Sequence, residues 1–320
     1  MPFHPPPPTF ASRRRKPAAG LASHTAQRDA GAVPTATVTP LPDVCFGATV
    51  TDVDLGALDD IGFAAIYDAW LLHGLLVFPA QHLDRDAQDA FARRFGPLEF
   101  EASPLANVDR HGNVRATDGS DDMMQILIGN MDWHQDSTYM PVQAKGAVFS
   151  AEVVPTEGGA TGFADTAAAY DTLSPPLRAA VAGRTARHSL YHSQALIGHD
   201  GTQRTRGYSG YGFHDEPISV RPLVKIHPET GRRVLTIGRH AHDVVGLESG
   251  PSRTLLDSLV EHTCRPPRVH HHQWCAGDVL VWDNRRLLHC ATPWPFEQPR
   301  VMWHTRLAGD PATESSLRRP

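Results

Sequence analysis

The chain has 320 residues, 41% of them hydrophobic, and a formal net charge of −5. That length holds one large domain or two ordinary ones, and the apolar share is enough for a sizeable core. The acidic balance argues against nucleic acid or an anionic membrane surface as partners, and no apolar run reaches the roughly 18 residues of a membrane-crossing helix.

The opening forty residues, with "HPPPPTFASRRRKPAAG", are rich in Pro and Arg and carry no helical or strand period. No apolar segment follows the arginines, so an export signal is not expected. Residues 1–43 are therefore read as a disordered tail, with ordered structure beginning at Val44. "DIGFAAIYDAWLLHG" from Asp60 has apolar residues at helical spacing behind an acidic start, and strand-like "LLVFPA" follows. "DRDAQDAFARRFG" predicts a helix capped by Asp84 or Asp86 and stopped by Gly96. After Pro97 an irregular polar stretch is expected. "GAVFSAEVVP" from Gly146 reads as a strand, and "EGGATGFAD" as a turn into the next. Asp165 caps a helix from Thr166, and Ser174 with Pro175 opens another.

Ser189 to Glu216 is polar and without period, which predicts a long excursion over the mouth of a site. "VRPLVKIHPETGRRVLTIG" predicts two strands joined at "PETG", and "SRTLLDSLVEHTC" an amphipathic helix. "VHHHQWCAGDVLVWDN" reads as a hairpin turning at "AGD", and "PRVMWHTRLAG" as a last strand. Residues 313–320 are expected to be a C-terminal tail. Many short strands, with helices gathered mostly at the start, predict one mainly β domain, a sandwich or barrel with helical cover. The four cysteines, Cys45, Cys264, Cys275 and Cys290, form no CxxC pair. They fit reduced thiols in a cytoplasmic protein.

Chemistry concentrates in "GNMDWHQDST". On a strand, His134 and Asp136 would point to one face and could meet at a metal. Such pairs are common in a chain with 19 histidines; His82 and Asp84 form another, explained by helix capping. A facial metal site also needs a second histidine from elsewhere, and His289 in "GDVLVWDNRRLLHCATPW" is the best candidate.

Taken together, "WHQD", "GGATGFAD", "GDVLVWDNRRLLHCATPW" and "QPRVMWHTR" resemble the taurine/2,4-dichlorophenoxyacetate dioxygenase family of Fe(II)- and 2-oxoglutarate-dependent oxygenases. The resemblance extends upstream through "FGATVTDVDL", "HGLLVFPAQHL" and "FARRFGPLE", from about Cys45 to Asp310. It implies a double-stranded β-helix, or jelly roll, over residues 44–312, with His134, Asp136 and His289 binding iron. It also implies 2-oxoglutarate and O2 as co-substrates, and hydroxylation of a small organic substrate with release of succinate and CO2. Hydroxylation at a carbon bearing a heteroatom would cleave a C–O, C–S or C–N bond. The retained Asp136 points to hydroxylation rather than halogenation, since related halogenases leave that position to chloride.

Arg300 lies at the family interval beyond His289 for the arginine that binds the distal carboxylate of 2-oxoglutarate, and Thr161 matches its threonine companion; Arg306 is the fallback anchor. Asn130 matches a position near the substrate. Where sulfonate-using relatives place a second arginine, this chain has His304, and Glu101 stands where taurine oxygenases use a histidine. That exchange argues against taurine as substrate. Arg204 and Arg206 in the long loop are candidate replacements for the lost cation, and His240 and His242 are placed near the substrate mouth. His270–His272 read as strand surface and Cys290 as a small core residue. Two rivals stay open: a zinc hydrolase on the same three ligands, and a jelly-roll binding protein without catalysis. The expected partner is a small molecule, and the sequence is compatible with a homo-oligomer.

Overall fold

The computed structural model describes residues 36–198, 211–214 and 216–317, all inside the unit Pro34–Pro320. Side chains that satisfy the free N–H groups of a first turn start most of its helices. Asp59 caps α1 (Asp60–His73), Asp84 caps α2 (Arg85–Arg93) and Asp121 caps α3 (Asp122–Gly129). Asp165 caps α4 (Thr166–Asp171), Ser174 caps α5 (Pro175–Val181) and Ser189 caps α6 (Leu190–Ala195). The long helix α7 (Ser249–Thr263) follows, and Asp310 caps the single turn α8 (Pro311–Glu314). The predicted caps Asp84, Asp165 and Ser174 all stand.

The strands are β1 (Thr37–Pro40), β2 (Ala48–Thr51), β3 (Leu75–Phe78), β4 (Leu98–Ala106) and β5 (Gly146–Val153). Next come β6 (Thr161–Asp165), β7 (Thr185–His188), β8 (Ser219–Pro222), β9 (Val224–Ile226) and β10 (Arg233–Leu235). The last are β11 (Ala241–Val244), β12 (Val269–His272), β13 (Val279–Asp283), β14 (Leu287–Ala291) and β15 (Val301–Leu307). Seven of them form the main sheet, in the order β1-β2-β3-β13-β5-β15-β4. A second sheet, β12-β6-β14, faces it, and two smaller sheets, β11-β7-β8 and β10-β9, complete the fold.

The main sheet is buried on both faces, which is why "LLVF" and "VLVWD" read as continuous apolar runs. Alternate residues divide between the faces. Leu75, Val77, Phe149, Leu280 and Trp282 turn inward to meet Phe163 and Leu287 of the facing sheet. Leu76, Phe78, Val148, Val279 and Val281 turn outward onto Ile66 and Trp70 of α1 and Phe91 of α2. Two sheets face to face with helices outside is the jelly roll under helical cover that the resemblance implies.

Four expectations are corrected. Ordered structure starts ahead of Val44, because Thr37–Pro40 pairs antiparallel with β2; its four residues are exposed, so no apolar alternation marked it. The stretch after Pro97 is β4, an edge strand whose pairing with β15 shifts register between His304 and Leu307, and the irregular ladder hides its period. β12 and β13 are not a hairpin: β12 pairs with β6, whereas β13 pairs with β3 and β5. Asp278 fixes the corner between sheets by accepting from the N–H groups of Ala80 and Cys275, with Gly277 at φ +91°. Finally, residues 313–317 are packed rather than a tail. Glu314 is buried and paired with Lys225, and its carbonyl accepts from Arg221 Nη1 at 2.9 Å.

Candidate active site

His134 and His289 meet through their backbones. Each N–H donates to the other's carbonyl, at 2.9 and 2.8 Å, forming an isolated β-bridge that brings the ring centroids to 4.2 Å. Asp136 is not on a regular strand, as the HxD spacing had suggested. The chain turns at Ser137 (φ 57°) and the carboxylate swings back to the two imidazoles. Asp136 Oδ1 lies 3.9 Å from His134 Nε2, and Oδ2 lies 3.6 Å from His289 Nε2. One ligand atom from each of the three fits within 4.8 Å of the others.

The protonation states suit a cation. His134 Nδ1 lies 2.7 Å from the Asp132 carbonyl, so Nδ1 carries the proton and Nε2 turns its lone pair to the cluster. Burial pushes both imidazoles below the usual histidine range, His289 well below it. Burial alone would raise the Asp136 carboxyl, but Arg306 and the surrounding histidines outweigh it and hold the carboxyl well below the usual range. Two neutral imidazoles and one carboxylate are a donor set that Fe(II) accepts. Among the described residues Asp136 Oδ2 and His289 Nδ1 have no hydrogen-bond partner, and an unsatisfied buried carboxylate oxygen is what a bound cation would resolve. The residues fit the metal.

Two chambers open on this cluster. One is lined by Asn130, Thr161, Trp282, Arg300 and His304. Arg300 is buried, its Nε donates to the Gly159 carbonyl at 3.1 Å, and its guanidinium lies 5.1 Å from the Trp294 ring. Burial with no compensating carboxylate among the described residues pushes its pKa down to about 10. Trp274 Nε1 donates to Thr161 Oγ1 at 2.9 Å, which leaves the threonine O–H free to donate. His304 stacks on Trp282 and faces Asp136 Oδ2 at 3.6 Å. It lies on the Arg300 side of the cluster, and burial pushes its pKa down to about 3.

The other chamber is lined by Asn130, Tyr139, Tyr211, Phe213, Arg239 and His240. Arg239 is half-buried and held by the Ser193 carbonyl at 2.8 Å and Gln194 Oε1 at 3.0 Å; burial pushes its pKa below the usual arginine value, and the charge of Asp132 offsets this in part. Arg306 reaches the same chamber but is committed. Its Nη2 lies 3.0 Å from Asp136 Oδ1, its Nη1 donates to Ser137 Oγ at 3.2 Å, and Phe100 and Tyr211 cover its guanidinium. Arg306 is thus engaged by Asp136, whereas Arg300 has no described carboxylate partner.

Other sequence candidates fall elsewhere. Glu101 points to solvent and pairs with Arg93 at 2.5 Å. The register shift between β4 and β15 puts Glu99 at the site instead, where it accepts from Tyr211 and, at 3.3 Å, from Ser137. Arg204 and Arg206 lie outside the described residues. His242 stacks on His192 and lines a separate cavity of about 600 Å3 beyond Trp133 and Arg239, which contains none of the three clustered residues. That cavity is larger than the two chambers, but the donor chemistry is in the chambers. Sequence reasoning missed Arg239, Tyr211 and Glu99. The motif "GRHAHD" carried a signal for Arg239, overshadowed by its histidines.

Residues 37–307 match the model of the family described as taurine catabolism dioxygenase TauD, TfdA family. The chain belongs to this family. The (S)-phenoxypropionate/alpha-ketoglutarate-dioxygenase of Sphingobium herbicidovorans is 59% identical over 88% of this chain and 97% of its own length. That of Delftia acidovorans is 56% identical over 84% and 94%. Among solved structures, that of AAD-2 in complex with Mn(II) and N-oxalylglycine superposes with a TM-score of 0.80 at 30% identity, covering 89% of this chain and 100% of that one. This member of the TauD/TfdA family is thus an Fe(II)- and 2-oxoglutarate-dependent dioxygenase acting on a small organic substrate. The hydrolase and binding-protein alternatives fall away.

Proposed function

We propose that His134, Asp136 and His289 hold Fe(II), that Arg300 and Thr161 hold 2-oxoglutarate, and that the Arg239 chamber takes a 2-aryloxypropionate. The observation that carries the substrate class is Arg239: a half-buried guanidinium hydrogen-bonded to neutral oxygens of Ser193 and Gln194, with only the longer-range charge of Asp132 against it, set among Tyr139, Tyr211 and Phe213 beside the metal cluster. A partly desolvated cation next to aromatic walls favours a molecule with a carboxylate at one end and an aryl group at the other. The names of the 59% and 56% identical relatives point to the same class.

Bound iron, with 2-oxoglutarate and O2, supplies the oxidising equivalents as the co-substrate loses CO2 and becomes succinate. The chain's own residues do the rest. The forked Arg300 guanidinium and the Thr161 hydroxyl hold the distal carboxylate of 2-oxoglutarate. Arg239 fixes the substrate carboxylate, which directs the adjacent ether carbon toward the cluster. Trp282, Phe149 and Phe163 pack around His289 and His304 and exclude water from the reacting centre. Replacing the C–H at the ether carbon by C–OH gives a hemiketal. That product collapses: the C–O(aryl) bond breaks, the hydroxyl proton passes to the aryl oxygen, and a phenol and a 2-oxo acid leave.

The four free cysteines support a cytoplasmic location. The test is anaerobic: (S)-2-phenoxypropionate, its (R) enantiomer and taurine are each added to the Fe(II)–2-oxoglutarate complex while its visible absorption band is followed. We expect (S)-2-phenoxypropionate to shift the band and, with O2, to release phenol in step with succinate. Arg239→Ala should weaken that response by roughly 2–5 kcal/mol, or about thirty-fold and more. A band that responds to taurine and ignores both aryloxy acids would overturn the substrate assignment.

A further inference from the structure

The two histidines of the cluster hold each other by backbone pairing, but the third residue lacks that support. Past Asp136 the chain leaves the extended form at Ser137, so no strand lies alongside. Its peptide groups are nevertheless buried, where an unpaired N–H or C=O is costly. A single side chain serves both. Asn284 Oδ1 accepts from the Asp136 N–H at 2.7 Å, and Asn284 Nδ2 donates to the Asp136 carbonyl at 2.9 Å.

We propose that Asn284 is the positioning residue of the metal site, its carboxamide replacing the missing strand partner of Asp136. The inference rests on the reading of Asp136 as a metal ligand. Only a primary amide offers a neutral donor and acceptor side by side, the pattern one residue of a neighbouring strand presents. The second N–H of Asn284 Nδ2 donates to the Ala144 carbonyl at 2.9 Å, so the amide cannot rotate without breaking bonds on both sides. The residue itself is fully buried and fixed by its backbone: its N–H donates to the Lys145 carbonyl at 3.1 Å, and its carbonyl accepts from Gln135 Nε2 at 3.1 Å. Just ahead of it, Asp283 is locked between His227 and Arg285. The bracket thus ties Asp136 to the end of β13, a strand paired on both sides within the main sheet.

Alternative side chains show what the site demands. Alanine at 284 leaves one N–H and two carbonyls without partners. Aspartate keeps the acceptor, but turns a second carboxylate oxygen on two carbonyl oxygens. Either change frees the Asp136 backbone to drift, which moves the carboxylate off the point where the imidazoles meet.

The experiment uses the full chain freed of metal and measures Mn(II) binding from the signal of the unbound ion. Asn284→Ala and Asn284→Asp should each weaken Mn(II) about 10–100-fold, the range for groups that orient a ligand. Ser252→Ala is the control for lost stability alone, because it also strips a buried side-chain bond from a backbone N–H, that of Val244 at 2.6 Å, away from the metal cluster. It should keep wild-type affinity. Asp136→Ala separates the two readings. If Asp136→Ala retains Mn(II) affinity, the ligand assignment fails; if it loses affinity while Asn284→Ala keeps it, the positioning role fails. Hydrogen exchange on the metal-free wild type needs no variant to fold. The Asp136 amide should be protected as well as that of His134, and exchange at the rate of an open loop would overturn the proposal.

Discussion

Arg300 and Arg306 lie at the two ends of one short stretch, and both are buried, yet their surroundings assign them different work. Arg306 is paired to Asp136, whereas Arg300 has a carbonyl and an aromatic ring for company. A buried guanidinium without an acid is stable only if an anion arrives. Arg300→Ala should therefore raise the 2-oxoglutarate concentration needed for the Fe(II) absorption band by tens-fold or more, a loss of roughly 2–5 kcal/mol. Thr161→Ala should act in the same direction and less. A large effect from Arg306→Ala with little from Arg300→Ala would exchange the two roles. The metal cluster was legible in the sequence because two of its ligand types sit two residues apart in a recurring motif. Arg239 was not, because what singles it out is its place in the wall of the chamber beside the cluster, a property of packing rather than of neighbours in the chain. Glu101 was misplaced for a related reason: a register shift between paired strands leaves no mark in either one.

At the scale of elements, α3 shows how a backbone shape serves a side chain elsewhere. Its last residue is Gly129, and a Cβ there would stand 2.3 Å from Arg239 Nη1 and 2.8 Å from Gln194 Oε1. In an ordinary helix, alanine in place of glycine stabilises by roughly 0.5–1 kcal/mol. Here it would push on a guanidinium already held by Ser193 and Gln194. Gly129→Ala should leave the thermal midpoint unchanged or raised while increasing the KM for the aryloxy acid several-fold, with the 2-oxoglutarate requirement unaltered. Equal changes in both requirements would mean that the helix end acts on the whole site rather than on Arg239. The helices capped by Asp84, Asp165 and Ser174 were readable in advance, since a cap is a contact between residues two or three apart; α6, capped by Ser189 inside the stretch expected to be a long excursion, was not. β4 and the β12–β13 corner were not, since a strand's partner lies far off in sequence and only the partner decides its sheet.

Across the whole molecule, packing leaves several histidines out of reach of water. His188 at the end of β7 is 1% exposed, and neither ring nitrogen has a hydrogen-bond partner among the described residues. Burial, then Arg221 and His242, hold its pKa well below the usual histidine value. The unfolded chain takes up that proton first, so this contribution is full above about pH 6.5 and is lost as pH falls toward the folded value. Denaturant titrations of the metal-free protein at pH 7.5 and 5.5 should show wild type losing more stability than His188→Leu, by on the order of 1 kcal/mol. Parallel losses would show that His188 takes up its proton without unfolding. The His134–His289 bridge has a consequence for biosynthesis. It joins residues from the middle and the far end of the chain, and contacts of such long range form late. While the ribosome is still making β14 and β15, the emerging protein offers iron one imidazole and one carboxylate, a two-point hold that exchanges readily. We expect stable iron loading to follow synthesis of β14, once the second imidazole can join the pair. A chain cut short before His289 should leave translation with neither a lasting grip on the metal nor the arginine proposed to anchor its co-substrate.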